Sequence, residues 1–179
     1  VETKKTGFCF DWLGHPLMAW GGGIAASLIA FMLVFNLLQT ANEQALLSDE
    51  VMVKDVIAHI AAAPGVMPTI EQRNSEEEMQ QLFASVGAQL NKPVEGMSYA
   101  GICNVGGQKS LHIIMQDKGE SITVLVIPGQ KVNAIRAFER SGYHGELMQV
   151  KGGVVAIVAN SMEQVANAQA RFFKSVKFS

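Results

Sequence analysis

The chain has 179 residues, a formal net charge of −2 and 17% charged side chains, against roughly 25% in an average soluble domain. This balance supplies no basic field to draw in nucleic acid, so no nucleic-acid partner is expected. Two cysteines and four histidines without a C-x-x-C or H-x-x-x-H spacing give no support to structural zinc, haem attachment or a dithiol redox site, and no cofactor or metal ligand is assigned.

Residues 16–38 (PLMAWGGGIAASLIAFMLVFNLL) carry no charge. A hydrocarbon core about 30 Å thick needs roughly 20 apolar residues at 1.5 Å rise, so the run predicts a single transmembrane helix. A buried core helix is the alternative, uncommon at this length. The run exceeds the roughly 7–15 residues of a signal-peptide h-region, and no small-x-small cleavage site closes it. Lys4 and Lys5 precede the run while Glu43, Asp49 and Glu50 follow it. Since basic residues stay cytoplasmic, residues 1–15 read as a cytoplasmic tether and 41–179 as an extracytoplasmic domain. In a Gram-negative cell that places the chain in the inner membrane with a periplasmic domain. The chain opens at Val1 rather than Met, so a preceding segment is expected. Gly22, Ala26 and Ala30 form overlapping small-x-x-x-small pairs, a candidate face for packing against a protein partner or another copy of the chain. Trp12 and Trp20 suit interfacial anchoring in membrane lipid. Cys9 and Cys103 would lie on opposite sides and could not pair within one chain.

The outer domain should open with a helix over 41–62, where Val53, Val56, Ile57 and Ile60 make one apolar stripe. Ser48, Asp49 and Glu50 either cap its start or are solvated groups on a helix continuous with the apolar run. Pro64, Gly65 and Pro68 break it. Ser75 with Glu78 forms a capping box for a second helix, whose Met79, Leu82, Phe83, Val86 and Leu90 line one face. Strands follow: 97–103, then 109–116 and 121–127 around the turn Asp117-Lys118-Gly119-Glu120. Residues 131–140, with Val132, Ile135 and Phe138 on one side, predict a short connecting helix. Residues 143–150 and 154–159 flank Lys151-Gly152-Gly153 as a second hairpin, and Ser161 with Gln164 opens a closing helix to about Ser175. The expected fold is α+β, one mainly antiparallel sheet of about five strands with helices on one face.

Chemistry-bearing constellations are few. Cys103, His112 and Asp117 supply the residue types of a nucleophile, a base and an orienting acid, but no local signature surrounds Cys103, and a small apolar residue of this kind is most often a buried structural thiol. A lone cysteine outside the cell could instead bond another chain. His59 and His144 sit on a predicted helix and strand. Gly106-Gly107 and Gly152-Gly153 are sufficiently explained as turns. No catalytic residue is assigned, and the chain reads as non-enzymatic.

Tyr99-Ala100-Gly101-Ile102-Cys103, Leu111-His112-Ile113-Ile114-Met115-Gln116 with Lys118-Gly119, and 122–129 (ITVLVIPG) resemble a bacterial family of uncharacterised single-pass membrane proteins. Gly142-Tyr143-His144-Gly145-Glu146 and 153–158 (GVVAIV) continue the likeness. Such proteins are similar to membrane-bound anti-sigma regulators. The resemblance implies a tethered regulatory or sensory protein whose outer domain binds a protein partner. The alternative is a non-catalytic accessory subunit of a larger inner-membrane complex. The resemblance transfers no catalytic residue.

Overall fold

Apolar runs separated by short glycine turns fold residues 97–159 mainly as antiparallel strands. The computed structural model describes residues 17–62, 75–132 and 135–178, the side chains of 17–28 and 39–47 excepted. Its elements are α1 (Leu17–Ala62), α2 (Glu76–Ala84), β1 (Ala88–Leu90), β2 (Met97–Val105), β3 (Gln108–Asp117), β4 (Glu120–Pro128), β5 (Arg136–Arg140), β6 (Tyr143–Val150), β7 (Gly153–Ala159), α3 (Met162–Ser175) and β8 (Val176–Phe178). Two compact units divide the chain, Val1–Gln44 and Ala45–Ser179.

In the first unit, the expectation of a transmembrane helix over 16–38 is corrected: among the described residues no helix is long and apolar enough to cross a membrane. Residues 29–38 lie within α1, one helix of 46 residues from Leu17 to Ala62. It runs on past them through Asn42, Glu43, Ser48, Asp49 and Glu50. The large apolar side chains of 29–38 are 51–70% exposed, and Asn36 turns its amide back to donate to the Met32 carbonyl at 2.8 Å. Of the small-residue face, Ala30 is exposed, while the side-chain surroundings of Gly22 and Ala26 lie outside the described residues. So do Lys4, Lys5, Cys9 and Trp12 before the helix, and Pro64, Gly65 and Pro68 after it.

The second unit holds an antiparallel sheet of six strands in the order β2-β3-β4-β7-β6-β5. Two expectations about it are corrected. The strands number six rather than about five, and helices cover both faces rather than one. Ile122, Val124, Val126, Val155 and Ile157 face α2 and α3, packing with Phe83, Val165, Ala168 and Phe172. Leu125, Ile127, Val154, Ala156 and Val158 point the other way, against Met52, Val53, Val56 and Ile57 of α1. Successive strand residues alternate faces, so strands apolar at nearly every position need a cover on each side. The C-terminal part of α1 supplies the second cover.

Residues 136–140 form an edge strand, β5, where a short helix was expected. Phe138 lies over Gly145 of β6, at a point where a Cβ would strike its ring. The alternate residues Arg136 and Arg140 reach α1: Arg136 lies 3.9 Å from Asp49 and 3.1 Å from Glu50, and Arg140 lies 2.6 Å from Glu50. Asp49 and Glu50 therefore dock α1 to the sheet and do not cap a helix start. The capping box of Ser75 and Glu78 is present in full, and both hairpins form around their glycine turns. A separate two-stranded ribbon, β1 with β8, clasps the start and end of the sheet domain. Strands of three residues leave too little pattern to be read from sequence.

Candidate functional site

Three side chains with metal-binding or nucleophilic chemistry meet where α1 crosses the β2–β3 hairpin. Pairing Gly101 with His112 and Cys103 with Ser110 sets Cys103 and His112 on the same sheet face, since directly opposed residues project together. His59, near the C-terminal end of α1, enters from above. The ligand-capable atoms of His59, Cys103 and His112 all lie within 4.8 Å of one another. The two imidazoles meet edge to face at 5.3 Å between ring centroids, and Tyr99 meets His112 in the same manner at 5.9 Å.

Two glycines make this approach feasible. At Gly101 a Cβ would run into the ring and hydroxyl of Tyr99, so only glycine lets that ring lie flat against β2 beside His112. Gly106 turns the hairpin at φ 56°, and the Asp55 carboxylate of α1 sits where its Cβ would be. A left-handed turn residue without a side chain thus lets α1 close onto the hairpin.

The site is half-buried, and burial decides its protonation. Burial pushes the Cys103 thiol up to about 11, so it is a protonated thiol at neutral pH. Burial first, and the neighbouring His59 second, push His112 down to about 4. His59 is also lowered by burial, against a hydrogen bond to the backbone of Asn104 that favours its charged form. The Nε2 atoms of both histidines are buried without a hydrogen-bond partner. A cysteine nucleophile needs thiolate character, and this pair is thiol and neutral imidazole.

The sequence-based trio of Cys103, His112 and Asp117 does not assemble. Asp117 lies five residues along β3 from His112 on the opposite face, 3.8 Å from Arg171 of α3. His144, on β6, lies 3.9 Å from Glu139. His59 takes the place expected for the acid. Its link to Cys103 and His112 depends on α1 lying across the sheet, and no local pattern signals that.

The protonation pattern has a measurable consequence. Between pH 6.5 and about 4 the unfolded chain binds a proton at His112 that the folded chain refuses. Stability therefore falls as pH drops through that window and levels off below it. Urea unfolding of metal-free protein is expected to show a loss of about 1–2 kcal/mol from pH 7 to pH 4.5 in excess of the His112→Gln variant, with the full shift reduced for partial solvent screening.

The family model described as "Protein of unknown function (DUF3379)" matches residues 18–176. The chain belongs to the DUF3379 family. The match takes in α1 from its second residue, the whole six-stranded sheet and all three clustered residues. No curated protein and no solved structure matches the chain.

Proposed function

We propose that the chain is a regulatory protein whose α+β domain binds a protein partner through the open edge of β2, of the anti-sigma type that its sequence resembles. The observation that carries this reading is the contrast between the two edge strands. β5 is short and charged at Arg136, Glu139 and Arg140, the usual protection of a sheet edge. β2 runs nine residues, MSYAGICNV, with no charge and no proline, and Ile102 on it is 40% exposed. Its outer side pairs with no strand among the described residues. Such an edge accepts an extended segment of another chain, with backbone hydrogen bonds giving affinity and alternate side chains giving specificity.

Affinity purification of the full chain with mass spectrometry tests the reading, with Ile102→Lys as the comparison. A charge on the edge is expected to reduce recovery of the partner at least tenfold, with the fold intact because Ile102 is outside the core. A sigma factor among the recovered proteins supports the regulator; equal recovery by wild type and variant contradicts docking on β2. The exposed apolar side chains of 29–38 favour a second reading, a non-catalytic accessory subunit of a larger assembly, because apolar area of that kind marks an interaction surface. A stable stoichiometric complex, recovered equally by the variant, supports it.

A further inference from the structure

We infer that His59, Cys103 and His112 bind one thiophilic d-block cation, Zn(II) or Cu(I), clamping α1 to the β2–β3 hairpin. The donor set is one sulfur and two imidazole nitrogens within 4.8 Å of one another. Thiolate and imidazole select zinc and copper over magnesium or calcium, which take oxygen donors. Bond lengths of about 2.3 Å to sulfur and 2.0–2.1 Å to nitrogen place tetrahedral ligands about 3.4–3.7 Å apart. The longest separation therefore has to shorten by about 1 Å. His59 is three residues from the end of α1, where one turn of helix and two side-chain torsions can supply that movement.

The surroundings are those of a ligand set. The backbone of Asn104 fixes one side of the His59 ring, the type of outer contact that orients metal-binding histidines. That contact leaves Nε2 of His59 buried with no partner, as is Nε2 of His112. Buried nitrogens without partners are uncommon and ask for an explanation; a cation between them is one. Tyr99 closes a further side of the site against His112. Three protein donors leave a fourth position for water or an external ligand on Zn(II), whereas Cu(I) is satisfied by three.

Binding forms one metal–sulfur and two metal–nitrogen bonds. The Cys103 S–H proton leaves to solvent, the imidazoles bind as neutral bases, and no electrons are transferred. About one proton should be released per metal bound.

The test uses the full chain, prepared metal-free and reduced. Co(II), as a probe for Zn(II), is expected to give intense tetrahedral visible bands and a near-ultraviolet thiolate charge-transfer band, saturating at one equivalent and bleached by Zn(II). Cu(I) is titrated anaerobically against a chromogenic chelator. Cys103→Ser should remove the charge-transfer band and weaken binding at least about 100-fold, and His112→Gln should weaken it comparably. Thermal melts of the metal-free variants establish that they fold. Tight Zn(II) with weak Cu(I) assigns zinc, and the reverse assigns copper; either supports the site. Weak octahedral Co(II) spectra together with no Cu(I) retention overturn it. Tight binding that survives both substitutions in folded variants does so too.

Discussion

Truncating Phe172 to alanine is expected to lower the stability of the sheet domain by about 3–5 kcal/mol, read as a shift in urea midpoint at constant slope. Phe172 has no exposed surface and packs in the cluster that joins α2 and α3 to the sheet. Its ring meets Phe173 at 5.2 Å and Phe178 at 6.4 Å, so one side chain binds α3 both to the sheet and to β8. Removing it leaves a cavity beneath Val165 and Ala168 that the rigid strands cannot collapse to fill. Amides of the β1–β8 ribbon should lose protection first, because three paired residues on each side contribute little by themselves. A loss below about 1 kcal/mol would mean that α3 does not pack as described.

Placing a carboxylate at Val56 should cost as much or more, about 3–5 kcal/mol, the scale of an uncompensated buried charge. Val56 is fully buried, facing Leu125, Ile127, Val154, Ala156 and Val158. Val51, five residues earlier on the same helix, is 58% exposed, so Val51→Asp should change stability by less than about 0.5 kcal/mol. The contrast isolates the packing of α1 on the second face of the sheet, since the two substitutions add the same group to the same helix. If Val56→Asp and Val51→Asp were equally mild, the second face would not be covered by α1, and His59 would lose its reason to lie beside Cys103 and His112.

Where local chemistry decides structure, the sequence is a good guide. The turns at Lys118-Gly119 and Gly152-Gly153 specify their hairpins because glycine occupies the left-handed region that the turn needs. Ser75 and Glu78 cap α2 because each satisfies a backbone donor of the first turn. The failures are long-range. Residues 131–140 carry a helix-like spacing, yet the contacts that make 136–140 a strand come from Gly145, Asp49 and Glu50, all distant along the chain. The apolar runs of β4 and β7 require cover on both faces, although the expected fold put helices on one. What they could not show is that the cover for one of them is the end of α1. Cys103 and His112 are legible in the sequence as reactive types, but Asp117, the third residue type of a triad, projects from the opposite face of β3. The uncharged run at 16–38 reads as a span from composition alone, whereas among the described residues no helix is long and apolar enough to cross a membrane.

Docking on β2 is tested most directly by amide hydrogen exchange on the full chain, alone and with the partner recovered by affinity purification. The account predicts slowed exchange along β2, residues 97–105, with little change on the charged edge at β5. Protection confined to α1 or β5, with β2 exchanging as in the free chain, would contradict it.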